Sequence, residues 1–466
     1  MYIRKLVKSD MFSWIRSILT FCVAIIFLGN LFIKSNTLND FNLLIMVIVI
    51  ALSFVVVSGT TLIIGLISFS LSIIIFLNYN APLGVWEQAL DENIYLVVMF
   101  TLVPLLGIPI QEGGYFEALQ GVFGRYVYNS SRFYLLVSFI SAFVGILVNL
   151  AVVPLVLQIS RASAISLDRK LLSSAIVRGF ATCTIWAPTT AAIALIVQLS
   201  GASWPLFFPY GILCGIIAGL VGYFITMHEE KKLGNNAYIS ADEEPVEEFN
   251  VRKIVELSGF SIILILCIVV VSFITGIHTV IVVSLVSLIY PVIWLALIGR
   301  LPILVKKFKG DYFKESLPKL KNEIILFVGA GFFATSINYS HMGTNVSNIL
   351  SLLVQHNAVL LAIVIITFVL ILSALGVHPI ISVTIIGGTV KAANYGVTPT
   401  YFALILAIGW AMGISISPSS ATVIAVSGLT GQSALQVGPR WNGFYVVIAS
   451  TIMLITLTLF RLIGLL

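Results

Sequence analysis

Two prolines in apolar segments are each followed by a pair of hydroxyl side chains, a pattern that opens a helix and supplies oxygen atoms. The segments are TIWAPTTAA, residues 184–192, and SISPSSATV, residues 415–423. A proline inside a helix removes a backbone hydrogen bond, and within a membrane the freed groups need protein, water or a ligand. Free carbonyls at the end of one half-helix attract cations, whereas free N–H groups at the start of the next attract anions. Both segments are therefore candidate ion or solute sites.

The two segments are copies of each other, with Pro188 and Pro418 standing 230 residues apart. Hydroxyl and glycine positions match at the same spacing: Thr189 with Ser419, Thr190 with Ser420, Gly179 with Gly409, Ser200 with Thr430, and Gly201 with Gly431. Upstream, SAFVGIL (141–147) resembles SALGVHP (373–379), and IPIQEGG (108–114) resembles INYSHMG (337–343). Apolar stretches also align by chance, but matched polar and glycine positions favour a half-chain repeat.

Composition decides the class of protein. Of the 466 residues 59% are hydrophobic and only 9% are charged, against about 25% charged in an ordinary soluble domain. Apolar runs of roughly 20 residues recur along the chain and match the length of a transmembrane helix. The sequence predicts an all-α polytopic membrane protein with about 11 transmembrane helices, two re-entrant hairpins and two proline-broken helices.

Positive charge predicts the topology. Lys and Arg gather at the N-terminus (Arg4, Lys5 and Lys8) and in loops 228–253 and 300–321, which the positive-inside rule places in the cytoplasm. We expect an integral plasma (bacterial cytoplasmic) membrane protein with a cytoplasmic N-terminus. The segment 133–158 has arginines on both sides, so it is predicted to enter and leave on one face as a hairpin. The span that precedes it and its copy, 323–341, then run in opposite directions, so the repeat is inverted.

These boundaries predict four regions. An extra N-terminal transmembrane helix covers 1–34. The first inverted repeat, 35–228, contains the hairpin 133–158 and the broken helix 171–200. A charged cytoplasmic linker covers 229–254. The second repeat, 255–466, contains the hairpin 358–392 and the broken helix 400–430.

The candidate site residues lie at the two breaks and the two hairpin tips. The residues expected to bind substrate are Gly145, Asn149, Thr189, Thr190, Gly376, His378, Ser419 and Ser420. The residues expected to serve ion coupling are Ser415, Ser417, Thr422 and His378. Ser, Thr and Gly also occur at tight helix crossings without any site role. His378 either titrates near neutral pH and couples transport to protons or only makes a hydrogen bond at a hairpin mouth.

Three further ionisable residues lie outside the breaks and hairpin tips, and one of them, Arg178, has two interpretations. Arg178 either holds an anionic substrate bidentately or extends to the cytoplasmic interface, and its spacing from Lys170 favours the interface. Glu112 and His341, in the matching QEGG and SHMG stretches, are expected at the cytoplasmic and outer interfaces respectively.

The order span, hairpin, proline-broken span, final span occurs twice and resembles the ion transporter superfamily. The nearest patterns are those of divalent anion/sodium symporters and of the large membrane subunits of TRAP transporters. The resemblance is carried by SAFVGILVNLAVVPLVL, SALGVHPIISVTIIGG, TIWAPTTAA and SISPSSATVIAVSG. It implies a scaffold domain, a mobile transport domain, elevator-type movement and a homodimer. Those symporters carry Ser-Asn-Thr at both hairpin tips, where this chain has Val144-Gly145-Ile146 and Gly376-Val377-His378.

These features predict a secondary active transporter for a small polar, anionic (carboxylate-like) solute, driven by Na+ or H+ and moving by an elevator mechanism. The expected partners are the solute, the lipid bilayer and a second copy, with no nucleic acid, no organic cofactor and no metal beyond a coupling Na+. A phosphate-binding GxxxxGK[ST] motif is absent from the sequence, which argues against an ATP-driven pump. The alternatives are a membrane-embedded enzyme or carrier-handling protein for lipids or glycans, which would gather acids and histidines at one face, and a passive channel.

Overall fold

The computed structural model describes residues 10–161, 163–233, 250–355 and 357–466, and within these ranges the regular structure is helical without a strand. The helices of the first half are Asp10–Ile33, Asn36–Val56, Thr60–Asn78, Leu83–Leu102, Gly107–Glu112, Tyr115–Tyr126, Ser130–Val148, Val152–Ser160, Arg169–Cys183, Ala191–Ser200 and Trp204–Leu233. Those of the second half are Val251–Thr275, Thr279–Leu297, Leu301–Lys307, Leu317–Lys319, Lys321–Glu323, Gly329–Tyr339, Gly343–Val354, Ala358–Ala374, Pro379–Thr389, Pro399–Ile416, Ala421–Thr430 and Trp441–Leu462. The chain is an all-α polytopic membrane protein, as predicted.

Eleven helical stretches of the described chain are long and apolar enough to cross a membrane. One of them, Ser130–Ser160, contains the predicted hairpin 133–158. Conversely, the predicted span 171–200 is built from two shorter helices, Arg169–Cys183 and Ala191–Ser200.

The first hairpin has two arms, Ser130–Val148 and Val152–Ser160, which contact each other. The chain leaves the first arm at Asn149, whose backbone has φ 53° and ψ −137°. The sequence placed this tip at Gly145, and that placement is wrong, since Gly145 remains inside the first arm. Asparagine is among the few non-glycine residues that adopt positive φ readily, so the turn needs no glycine.

The second hairpin joins Ala358–Ala374 to Pro379–Thr389. Its turn lies at Gly376, as predicted, where φ is 94°. The N–H of Val377 donates to the carbonyl of Leu372 at 2.9 Å, closing the first arm in the manner typical of a glycine-ended helix. Pro379 opens the second arm, a position that suits its fixed φ and its missing N–H.

Each broken helix is a pair of half-helices. The first broken helix consists of Arg169–Cys183 and Ala191–Ser200, and the second of Pro399–Ile416 and Ala421–Thr430. The second half of each is ten residues long and ends at a left-handed glycine. These glycines are the matched pair Gly201, with φ 67°, and Gly431, with φ 68°. The repeat seen in the sequence is therefore also a repeat of backbone conformation.

The matching QEGG and SHMG stretches precede equivalent helices in the structure. A 12-residue helix follows each stretch, Tyr115–Tyr126 in the first half and Gly343–Val354 in the second. Gly114, with φ 74°, and His341, with φ 56°, supply the left-handed turns before them. Each repeat thus includes a short helix ahead of its hairpin, which the sequence reading did not predict.

The chain divides into two compact units. The first unit contains the described residues of 1–112, together with Leu266–Ile349 and Gly387–Val390. The second, called here the broken-helix unit, contains Gly113–Ile265, Leu350–Ile386 and Lys391–Leu466. It holds both broken helices, the first hairpin and most of the second. Each unit draws on both halves of the sequence, so neither corresponds to one repeat.

Parts of the predicted regions fall outside the described residues. These are the N-terminal charges Arg4, Lys5 and Lys8 and most of the predicted linker 229–254, of which 234–249 is not described. The described ends of that linker are helical, since Trp204–Leu233 and Val251–Thr275 extend into it.

Contacts within each unit join helix ends that the charge rule assigns to one side. In the first unit Lys307 lies 2.8 Å from the Glu112 carboxylate, and both are predicted to be cytoplasmic. In the broken-helix unit Lys170 pairs with Glu229 at 3.0 Å at a predicted cytoplasmic end. At the opposite end the Tyr210 hydroxyl donates to the Leu465 carbonyl at 2.9 Å. These contacts join helix ends that the charge pattern predicts on one side of the membrane, and the direction of each crossing stays a prediction.

Orientation can be tested with single cysteines at two exposed lysines, Lys231 and Lys391. Residue 231 lies in the predicted cytoplasmic loop 228–253, whereas residue 391, at the end of the second hairpin, is predicted to lie at the outer surface. A membrane-impermeant maleimide is therefore expected to label Lys391→Cys in intact cells and Lys231→Cys only after permeabilisation. The unmodified protein is the control, because its four cysteines are buried or half-buried. The reverse pattern would invert the predicted orientation, and labelling of both from one side would contradict the order of crossings.

Candidate functional site

The two broken helices cross each other inside the broken-helix unit. The first half of each packs against the second half of the other. The Ser173 hydroxyl, for example, lies 3.4 Å from that of Thr430. The helices therefore run antiparallel, and their breaks lie at the same level. Four half-helix ends meet in this region, the arrangement that transporters with inverted repeats use for solutes and ions.

At the first break the hydroxyls serve the opened backbone. Thr189 donates to the carbonyl of Ile146, in the first arm of the first hairpin. Thr190 donates to the Ala187 carbonyl at 2.8 Å, and both threonines are 2% exposed. Gly145 lies close to the end of the half-helix Arg169–Cys183, since a Cβ on Gly145 would lie 3.4 Å from the Cys183 sulfur. The structure thus brings Gly145 and Thr189 together, with Asn149 half-buried at the turn.

At the second break the serines bond to the backbone and to one another. Ser420 donates to the Ile414 carbonyl at 2.7 Å and accepts from the Val423 N–H at 3.3 Å, capping the second half-helix. The hydroxyls of Ser417 and Ser419 lie 3.0 Å apart. A hydroxyl that donates its hydrogen keeps its lone pairs. These oxygens therefore satisfy the break and still suit a hard cation such as Na+.

The two remaining residues assigned to ion coupling lie beside the second break. Ser415 donates to the Ala411 carbonyl at 3.0 Å within the first half-helix. Thr422 is 3% exposed and lies in the first turn of the second half-helix.

His378 lies at the start of the second arm of the second hairpin. Its Nδ1 accepts a hydrogen bond from the Ile380 N–H at 3.2 Å, and its ring lies 6.1 Å from that of Trp410 in the second broken helix. This geometry requires a ring without a proton on Nδ1. Protonation would remove the acceptor and release one backbone N–H, so the arm's first turn is sensitive to the charge of His378.

Glycines let the hairpins approach the broken helices closely. A Cβ on Gly179 would lie 2.5 Å from the backbone oxygen of Ser138. A Cβ on Gly413 would lie 2.8 Å from the Ser373 hydroxyl and 3.0 Å from the Pro379 ring. These small residues fulfil the packing role that was the alternative to a site role.

Several buried hydroxyls on the hairpins were not predicted as site residues from the sequence. The side chains that are at most 1% exposed and find no hydrogen-bond partner among the described residues include Ser141, Ser373, Ser382 and Thr384. An unsatisfied buried hydroxyl costs about 1–3 kcal/mol, so these oxygens join the candidate ligands. The sequence held one signal for them, because Ser141 and Ser373 are partners in the SAFVGIL and SALGVHP match.

The other ionisable residues, Glu112, His341 and Arg178, differ in their environment. Glu112 pairs with Lys307 in the first unit, and His341 is exposed in a left-handed turn of that unit. Arg178, expected at the interface, is only 5% exposed. It donates to the Asn442 side chain at 2.8 Å and to the Trp441 carbonyl at 3.0 Å, so it does not extend to the surface.

Alanine substitutions at three glycines of the broken helices test the close packing. Gly179→Ala meets backbone and is expected to destabilise most, by more than the roughly 1–3 kcal/mol typical of overpacking, and Gly413→Ala by about that amount because Ser373 and Pro379 can shift. Gly428→Ala is the control, since a Cβ there meets nothing within 4 Å and helix propensity favours alanine by about 0.5–1 kcal/mol. Thermal unfolding in detergent measures the order. Equal losses at all three positions would contradict the packing described here.

Two substitutions separate the readings of His378. The His378→Asn variant keeps a cap acceptor without a titratable group, whereas His378→Ala removes both. If His378 couples transport to protons, both variants lose the pH dependence of transport. If it only caps the arm, His378→Asn behaves as wild type and His378→Ala loses about 1 kcal/mol of stability. Transport at several pH values, measured beside thermal unfolding, decides between these outcomes.

No protein-family model and no curated protein sequence matches this chain. Solved membrane transporters do match its fold. The Alcanivorax borkumensis YdaH transporter is 14% identical, with a TM-score of 0.54 over 85% of this chain and 88% of YdaH. Neisseria gonorrhoeae MtrF, of a class of antimetabolite efflux pumps, is 14% identical, with a TM-score of 0.52 over 76% of this chain and 80% of MtrF. The chain is thus similar in fold to known membrane transporters.

Proposed function

We propose that this protein is a secondary active transporter that moves a small polar, anionic (carboxylate-like) solute by an elevator mechanism coupled to Na+ or H+. One observation carries the proposal: two broken helices cross antiparallel within one unit, with their breaks at one level. Helices in lipid normally pair all their backbone N–H and C=O groups with each other. Two helices interrupted at the same depth therefore indicate that the backbone groups at that depth bind a solute or an ion.

The backbone at the crossing suits both an anion and a cation. The half-helices that begin at Ala191 and Ala421 present N–H groups, which favour an anionic solute. The half-helices that end at Cys183 and Ile416 present carbonyls, which favour a cation. Ser417 and Ser419 add hydroxyl oxygens at the second break. A coupling Na+ is therefore assigned to the second break.

The division into two units supports an elevator. All four half-helices and the first hairpin belong to the broken-helix unit, so the proposed site can travel as one body. In this proposal the first unit supplies the stationary scaffold and, as the family resemblance implies, the contacts of a homodimer. Because the similar MtrF belongs to a class of efflux pumps, transport is to be measured in both directions.

The decisive experiment uses purified protein in liposomes with an imposed Na+ or pH gradient. Carboxylate solutes are screened for gradient-driven movement inward and outward, with protein-free liposomes as the control. The proposal expects accumulation against the solute's own gradient, abolished when the ion gradient is dissipated. Flux without coupling would indicate a channel, and no gradient-driven movement of any solute would refute the proposal.

Ser419 offers a cleaner test of the site than its neighbour. It is half-buried and, among the described residues, its hydroxyl bonds to Ser417 alone, whereas Ser420 caps a half-helix. Ser419→Ala is expected to weaken the apparent affinity for solute or ion about tenfold, the equivalent of one lost hydrogen bond, with little change in thermal stability. Ser420→Ala is expected to lose about 1 kcal/mol of stability as well.

The control for both variants is Thr456→Ala, which removes a hydroxyl that donates to the Ile452 carbonyl of its own helix. Transport kinetics and unfolding temperature are measured together. Wild-type kinetics in Ser419→Ala would reassign that serine to packing.

A further inference from the structure

A cavity of about 410 Å³ lies within the broken-helix unit, and none of the residues of the two breaks line it. Three cations line the cavity, Lys170, Arg178 and Arg440, against one carboxylate, Glu229. The lining therefore carries an excess of positive charge. Its residues come from the first half of the first broken helix, the end of Trp204–Leu233 and the start of the last helix. The positive-inside rule places the start of the first broken helix, the end of Trp204–Leu233 and the start of the last helix on the cytoplasmic side.

Arg178 forms the buried part of this lining. It is 5% exposed, and its two hydrogen bonds go to neutral acceptors, the Asn442 side chain and the Trp441 carbonyl. Its guanidinium also lies 4.7 Å from the centre of the Tyr445 ring. Among the described residues no carboxylate forms an ion pair with it. A buried charge without a counterion is unfavourable, and a guanidinium has five donors, so an oxyanion in the cavity would complete its pairing.

The mouth of the cavity carries the remaining charges. Lys170 pairs with Glu229 at 3.0 Å, with the two side chains 46% and 51% exposed. Such an exposed pair contributes little and exchanges readily, so Lys170 is available to an incoming anion. Arg440 is exposed at the start of the last helix and has no ion pair within the described part of the chain.

Aromatic side chains form the rest of the wall. Trp441, Phe444 and Tyr445 line the cavity, and Phe444 is 70% exposed. Cations combined with aromatic faces suit an anion that carries an apolar body. We propose that this cavity is a second binding site, for an oxyanion attached to an apolar body, with Arg178 inside it and Lys170 and Arg440 at its mouth.

Two sources share this chemistry, a soluble aromatic carboxylate and the phosphate headgroup of an anionic lipid. The probe for the first is 4-fluorobenzoate, followed by 19F NMR with the full chain in phosphatidylcholine nanodiscs. The neutral 4-fluorobenzyl alcohol is the matched control ligand. The probe for the second is phosphatidylglycerol, counted by native mass spectrometry as molecules retained by each protein.

The variants avoid Arg178, because its loss would also unpair Asn442 and the Trp441 carbonyl. Arg440→Gln is expected to weaken 4-fluorobenzoate binding about tenfold or to remove one retained phosphatidylglycerol, as loss of a charge-assisted contact predicts. Phe444→Ala is expected to weaken binding several-fold. Lys391→Gln, an exposed cation of the same unit, is the control and is expected to leave both signals unchanged.

Displacement of 4-fluorobenzoate by phosphatidylglycerol would assign the site to lipid, and binding that persists would assign it to a soluble anion; both support the proposal. Binding of neither probe, equal binding of the neutral alcohol, or equal effects of Arg440→Gln and Lys391→Gln would overturn it. None of these measurements depends on transport, so failure here is separate from failure of the proposed function.

Discussion

The rest of the structure depends on one constraint, that a backbone opened within a bilayer must find hydrogen-bond partners. Each break leaves the carbonyls of one half-helix and the N–H groups of the next unpaired. Hydroxyl side chains at each break bond to backbone carbonyls there. Thr190 donates to the Ala187 carbonyl, and Ser420 donates to the Ile414 carbonyl. Thr189 extends the same solution to the hairpin by bonding to the Ile146 carbonyl. This hydrogen bond connects the first hairpin to the first broken helix.

The hairpins and the broken helices combine close packing with buried hydroxyls that have no hydrogen-bond partner among the described residues. Gly179 and Gly413 let helix backbones approach to distances that a Cβ would forbid, which positions the hairpins. Ser141 and Ser373 then lie buried without a hydrogen-bond partner among the described residues. A buried hydroxyl without a hydrogen-bond partner costs free energy. Under the proposed function, a ligand that bonds to these oxygens would offset that cost, so ligand binding would raise the stability of the fold.

Much of this was accessible from sequence because hydropathy, charge and proline act locally. The spans follow from the length of apolar runs, and the second hairpin turn follows from Gly376. The turn at Asn149 was misplaced because the alignment tied it to a glycine, although the left-handed conformation is also open to asparagine. The family resemblance implied two domains, but the segments that make up each unit did not follow from the repeat boundaries, since each unit combines segments from both halves. The burial of Arg178 was also missed, because spacing from Lys170 does not reveal that Trp441 and Asn442 cover it.

The two halves of the sequence have matching backbone conformations but differ in the charge of their side chains at one matched position. Gly201 and Gly431 end equivalent half-helices with nearly identical φ. At the same spacing, however, Arg178 corresponds to Ile408, which is fully buried among apolar neighbours. Symmetric backbones would give a transporter equivalent binding properties on its two sides. Under the proposed function, a cation in only one copy would make the predicted cytoplasmic side of the unit attract anions more strongly than the other side. A directional preference would then arise from side chains, while the backbones of the two halves stay equivalent.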